Sequence, residues 1–214
     1  MMRIIMLGAP GSGKGTQTQL LSKHFDIPFI SAGEILRQES KKNEKTKNYI
    51  NKTINQGKLV KNSFIINLIK KKIKKKNCFD NFILDGFPRT IKQAESLKKN
   101  IKMHFVIHLK INTNNILNRI TGRLIHESSG RTYHKKFNPP KNKNIDDLTG
   151  ELLSKRKDDK EKIIITRLKE YKKLTKPLIN WFKMEDLKKN IKYIEINANK
   201  SIHKINKKII LCIH

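Results

Sequence analysis

Gly8-Ala-Pro-Gly-Ser-Gly-Lys-Gly-Thr16 follows the apolar run Met2-Arg-Ile-Ile-Met-Leu7 and leads into Leu20, Leu21, His24 and Phe25 at helical spacing. The run reads as a buried strand and the later residues as a helix, so the glycines occupy a strand-to-helix turn. Gly8, Gly11 and Gly13 let backbone N–H groups converge on an anion with no Cβ in the way. The helix start adds a positive dipole end, and Lys14 adds a point charge. The stretch reads as a cradle for nucleotide phosphates. One position departs from the general pattern, in which a hydroxyl residue follows the lysine and binds Mg2+ directly. Here Gly15 stands there and Thr16 comes next. Mg2+ held mostly through water, substrate phosphates and a carboxylate elsewhere suits this ending.

Outward from that loop, apolar runs recur at 4–7, 28–30, 82–84, 105–109 and 193–196. Helical segments are expected between them at 14–25, 34–42, 46–55, 62–75, 91–99, 113–121, 160–187 and 202–212, with Pro177 kinking or breaking the long one. The alternation predicts an α/β fold with a parallel sheet flanked by helices. From about Gly122 to Asp159 the helical period lapses, and Gly130, Pro139, Pro140 and Gly150 punctuate short polar runs. That segment reads as a small insertion of antiparallel strands and turns.

The chain has 214 residues, of which 36% are hydrophobic, enough for a sizeable core in one domain with insertions. No apolar span of membrane length occurs, and the N-terminus enters a strand directly, so a cytoplasmic location is expected. Cys78 and Cys212 suggest neither a disulfide framework nor a metal cluster. The net charge of +30 would ordinarily point to nucleic acid. The lysines are instead spread along the chain among Ile and Asn, and aromatics make up only 7%, so no aromatic-interleaved basic stripe exists. The run Lys70–Lys76 reads as the wet face of a helix begun near Ser63. The eight arginines say more, because Arg is kept where a planar fork is needed.

Asp85 ends the run Phe82-Ile-Leu84, placing it at the carboxyl end of a strand, where ligands bind in open α/β sheets. It is the candidate partner for Mg2+ through water. Gly86-Phe-Pro-Arg-Thr90 follows, with Gln93 beyond; Arg89 can hold a phosphate bidentately.

Together with Ser31-Ala-Gly33 and Arg37, and with Arg156-Lys-Asp-Asp159 and Arg167, these motifs resemble bacterial adenylate kinases of the long-lid type, over essentially the whole chain. The resemblance implies a P-loop NTPase-type fold with a core of residues 1–30, 61–121 and 160–214. It also implies a helical NMP-binding insertion at 31–60 and a small β-rich lid at 122–159. The implied reaction is MgATP + AMP ⇌ MgADP + ADP. ATP would be bound by Gly11, Ser12, Gly13, Lys14, Gly15 and Thr16, by Arg123, Thr132 and Tyr133, by the backbone of Lys200, and by Arg119 against the adenine. AMP would meet Arg37 and Arg89 at its phosphate, the Lys58-Leu59-Val60 backbone near its base, Gly86, Phe87 and Pro88, and Gln93 at the adenine edge. Arg156 and Arg167 would reach across both phosphate chains, joining Lys14, Asp85, Arg89 and Arg123 as the catalytic set.

An AMP phosphate is already an anion, so no general base is needed; the obstacle is bringing two polyanions into line. Asp158 and Asp159 could orient the arginines. Ala32 stands where the family usually has a threonine touching AMP, so weaker AMP binding is expected. His126, Ser129, Asp146 and Thr149 occupy lid positions that hold structural zinc as cysteines in some members. This set makes a poor zinc site, and a hydrogen-bonded network is expected instead. A monomer, with no membrane and no specific nucleic-acid partner, is the remaining expectation. The nearest alternative is a sister nucleoside monophosphate kinase.

Overall fold

Alternation along Met2–Gly8 (β1) decides the layering. Ile5 and Leu7 join Phe82, Leu84 and Val106 in one buried cluster, while Ile4 and Met6 join Ile83, Ile107 and Leu109 in another. Successive strand side chains point to opposite faces, so a strand buried on both sides needs apolar residues at every position. In a computed structural model, which describes residues 1–75, 80–156 and 158–213, β1 is the central strand of the sheet.

In chain order, α1 (Lys14–Phe25), β2 (Phe29–Ser31), α2 (Ala32–Glu39), α3 (Glu44–Asn55), α4 (Asn62–Lys75) and β3 (Asn81–Asp85) follow β1. Next come α5 (Ile91–Lys98), β4 (Phe105–Lys110), α6 (Thr113–Thr121), β5 (Arg123–Ile125) and β6 (Thr132–His134). Then α7 (Glu161–Glu170), α8 (Pro177–Leu187), β7 (Lys192–Asn197) and α9 (Ile202–Ile213) close the order. Five strands pair in the order β2-β3-β1-β4-β7, all parallel. Helices α4, α5 and α8 cover one face through Ile69, Leu97 and Phe182. Helices α1 and α9 cover the other through Leu21, Ile205 and Ile209. The expected α/β architecture is thus present, and α1, α4 and α6 have the bounds read from the sequence.

The remaining helices differ from expectation: α3 starts two residues earlier, at Glu44, α5 and α9 end one residue away, at Lys98 and Ile213, and α2 ends at Glu39 rather than residue 42. α2 starts at Ala32 rather than residue 34, because Ser31 caps it by accepting from the Glu34 N–H at 3.4 Å. The segment expected as one helix over 160–187 is α7, a π-helical stretch at Tyr171–Thr175, and α8. The break falls where Pro177 was expected to place it: α8 begins at Pro177, whose missing N–H costs little in the first turn of a helix.

Residues 122–159 build their own small layer. β5 and β6 pair antiparallel, and bridges join Ile125 to Ser154 and Ile145 to Leu152. Leu124, Tyr133 and Leu153 form its apolar centre. This layer meets the rest of the molecule at several points: among them, Gln19 Nε2 of α1 donates to the Gly130 carbonyl at 3.1 Å, His134 Nε2 contacts the Asn118 carbonyl at 3.1 Å, and Glu34 of α2 lies against Gly130. Gly130 has a φ of +73°, a conformation that favours glycine, and a Cβ there would have to push the end of the Glu34 side chain aside. Cys78, Lys76 of the lysine run and Lys157 of the Arg156–Asp159 motif lie outside the described residues. Among the described residues no helix is long and apolar enough to cross a membrane.

Candidate active site

The turn from β1 into α1 places Gly13 as N-cap at φ 90° with no side-chain cap, so the first amides of the helix are left for a ligand. Lys14 folds back across the loop, donating to the carbonyls of Gly8 at 2.7 Å and Ala9 at 2.8 Å. Burial lowers its ammonium to about 7; Asp85 opposes the shift, while Arg89, Arg167 and Arg123 add to it. Asp85 ends β3 level with Met6 and Ser31 on the neighbouring strands, putting its carboxylate beside the loop. A Cβ on Gly15 would stand 3.6 Å from Asp85 Oδ2. Gly15 thus brings no side-chain ligand of its own to this carboxylate, and a cation here would be held by Asp85, water and phosphate oxygens.

Arginines crowd the same cleft. Arg89 donates from Nε to the Gly86 carbonyl at 2.8 Å, and its own carbonyl accepts from Thr175 Oγ1 at 3.0 Å. Arg123 pairs with Asp159 through two contacts, one of them Nε to Oδ2 at 2.8 Å. Arg167 pairs with Asp158 at 2.8 Å and lies 3.5 Å from Asp159. Asp158 and Asp159 thus hold two of the expected arginines. Arg156 has a buried Nε with no hydrogen-bond partner. Burial disfavours the charge on Arg156, and the nearby Arg123 and Arg37 add to that. Burial and Arg167 do the same to Arg89. So many cations withdrawn from water repel one another until an anion enters.

Two pockets meet at these arginines. The larger, about 410 Å³, is lined by Gly11 to Thr16, Asp85, Arg119, Arg123, Thr132, Tyr133 and Lys200. The smaller, about 110 Å³, is lined by Ala32, Lys58, Leu59, Val60 and Gln93. Arg37, Gly86, Arg89, Arg156 and Arg167 line both. The sequence candidates are therefore brought together, with two exceptions. Phe87 is buried in the core at 2% exposure, on the far side of a cis bond to Pro88. Pro88 lines a separate small recess behind Lys14.

Several residues in or beside the cleft carried no motif. Phe137 lies in the wall of the larger pocket, its ring centroid 5.7 Å from the Arg119 guanidinium carbon, and His134 and Asn138 stand beside it. Asn62 contacts Gln93 at 2.8 Å, and Thr175 belongs to the π-helical stretch. A lone aromatic, a helix-start asparagine and a threonine give no spacing signal, so only the fold locates them.

Residues 122–159 are held by a polar network centred on Asp146, whose side chain is fully buried. It accepts from Arg131 Nε at 2.9 Å and Nη2 at 2.6 Å, Tyr133 Oη at 3.0 Å and Thr149 Oγ1 at 3.0 Å. The Arg131 hydrogen bonds hold this carboxyl far below the usual range, outweighing its burial. His126 contacts Ser129 Oγ at 2.7 Å, Thr149 Oγ1 at 3.3 Å and Glu151. The four positions expected to form a hydrogen-bonded network do so, with Arg131, Tyr133 and Glu151 as further members. Among the described residues no cluster of three or more His, Cys, Asp or Glu side chains has metal-binding spacing.

Comparison with known proteins agrees with this geometry. The family model described as adenylate kinase matches residues 6–187. The adenylate kinase of Buchnera aphidicola subsp. Cinara cedri is 68% identical over 209 residues, covering 98% of this chain and 95% of its own. That of Buchnera aphidicola subsp. Acyrthosiphon pisum (strain Tuc7) is 49% identical over 97% of each chain. That of Blochmanniella pennsylvanica is 44% identical over 98% of each. With a phosphate loop, paired pockets and a shared arginine cluster in place, and with relatives this similar across nearly all of its length, the chain belongs to the adenylate kinase family.

Proposed function

We propose that, in the ATP:AMP phosphoryl transfer of this family, the larger pocket holds ATP and the smaller holds AMP. The phosphoryl group passes between them at the arginines that line both. That shared lining is the observation that carries the reading. A cluster of guanidinium groups on the boundary of two pockets suits two phosphate chains meeting end to end. On this reading Lys14 and the loop amides hold the ATP phosphates, and Arg119 with Phe137 flanks the adenine. Arg37 and Arg89 hold the AMP phosphate. Arg123, Arg156 and Arg167 neutralise the charge spread over the transferring group.

Asp85 would hold Mg2+ through water, with Thr16 nearby, and the bound ion would neutralise the β- and γ-phosphate oxygens. Residues 31–60 serve as the NMP-binding insertion and 122–159 as the lid, with the rest as core. A closing lid keeps water from the phosphoryl group, a gating role for which the adenylate kinase lid is itself a standard example. Adenine nucleotide balance in the cytoplasm, carried out by a monomer, fits the chain. A net charge of +30 keeps copies apart, and the scattered lysines attract nucleic acid only nonspecifically.

The test is a coupled assay of ADP formation from MgATP with AMP, GMP, CMP and UMP, run beside Arg89→Lys. AMP is expected to be strongly preferred, with kcat/KM falling about 100-fold in the variant because lysine cannot supply the fork. Preference for another acceptor would move the chain to a sister kinase. RNA binding that survives in Lys14→Ala, with no transfer to any acceptor, would overturn the reading altogether.

A further inference from the structure

Gln93 is buried at 2% exposure and lines the smaller pocket, and its amide is held at both ends. Oε1 accepts from the Arg89 backbone N–H at 2.7 Å, and Nε2 donates to Asn62 Oδ1 at 2.8 Å. A backbone N–H can only donate, so the amide oxygen must face it; the reverse orientation would set two donors together. Asn62, the first residue of α4, closes the other end. Its Oδ1 also takes the Thr90 hydroxyl proton at 3.2 Å, because Thr90 Oγ1 is already accepting the Gln93 N–H at 3.2 Å as N-cap of α5. Asn62 is thereby an acceptor toward both neighbours, and the network runs with a single polarity.

A primary amide offers two protons and two oxygen lone pairs. One of each is used here, leaving one donor beside one acceptor. Adenine presents N1 as acceptor beside the N6 amino donor, which matches this edge. Hypoxanthine presents N1–H beside the O6 acceptor and would need the amide turned over. We propose that Asn62 is a positioning residue that, together with the Arg89 backbone N–H, fixes the orientation of Gln93, and so sets the preference for 6-amino over 6-oxo purine monophosphates at the acceptor site. This rests on the reading that the smaller pocket takes AMP with its base at Gln93.

The experiment compares kcat/KM for AMP and IMP at saturating MgATP in the unaltered protein, Asn62→Leu, Asn62→Asp and Gln93→Leu. In Asn62→Leu the AMP-to-IMP ratio is expected to fall about fivefold to tenfold, the scale of one neutral hydrogen bond. The change should come through the KM for AMP, with the KM for ATP unmoved. Asn62→Asp keeps the acceptor and should keep the ratio. Asn62→Ala serves if the leucine variant does not fold. An unchanged ratio in Asn62→Leu, or equal losses with both acceptors, overturns the role of Asn62. An unchanged ratio in Gln93→Leu overturns instead the placement of the base at Gln93, so the two failures are distinguishable.

Discussion

Lys14 sits where a positive charge is tolerated poorly until a phosphate arrives. Burial takes it from 10.5 to about 7, so between those values the unfolded chain holds a proton that the folded one has released. Stability without nucleotide therefore rises with pH across this window. Phosphate binding reverses the shift, and at pH 8 ATP binding is expected to take up roughly one proton. Titration calorimetry in two buffers of different ionisation enthalpy measures it. Equal heats in both would refute the shift, and Lys14→Met should show no uptake. At Ala32, which is 3% exposed in the wall of the smaller pocket, restoring the hydroxyl is expected to lower the KM for AMP several-fold, the worth of one hydrogen bond. An unchanged KM in Ala32→Thr would remove that residue from the acceptor site. Lys14, Asp85 and Arg89 were legible in the sequence because the chemistry dictates both residue type and local spacing. Asn62 and Thr175 were not, because they act on Gln93 and Arg89 across separations of 31 and 86 residues.

Among the elements, strands buried on both faces and helices with clean apolar spacing could be read directly. α1, α4 and α6 show this. The π-helical stretch at 171–175 could not, since its composition is that of any helix and its wider turn, closed by Lys176 N–H to the Tyr171 carbonyl at 2.8 Å, comes from packing. The polar network of residues 122–159 lies between these cases. Its four expected members were visible as paired positions, whereas Arg131 and Tyr133 were named for nothing there. Asp146→Asn leaves Arg131 with a neutral partner and removes the charge the network surrounds, costing the segment roughly 3 kcal/mol as a broken buried pair. The expected outcome is a raised KM for ATP and faster proteolytic nicking within 122–159, with the main melting transition retained. Because the Asp146 carboxyl is held so far below its ordinary range, its contribution is present above the unfolded value. It is lost only as pH falls through the folded one, so the segment should survive acid that protonates ordinary carboxylates.

For the molecule as a whole, a charge of +30 attracts anions of every kind and cannot choose among nucleotides. Choice is left to the cleft, where α1, α2 and the β5–β6 layer converge on Gly130. That convergence is expected to help keep water from the transferring phosphoryl group. A side chain at 130 strains a φ of +73° and pushes the end of the Glu34 side chain aside, so Gly130→Ala is expected to loosen the turn where the β5–β6 layer meets α1 and α2. A gap wide enough for one water supplies a competing acceptor at vast excess. The variant is expected to retain most of its ATP binding yet release inorganic phosphate from ATP without AMP, with a hydrolysis-to-transfer ratio raised about tenfold or more. A phosphate-release assay with AMP omitted reads this directly, and no rise would place the seal elsewhere. Thrift with ATP, on this view, depends in part on one absent methyl group.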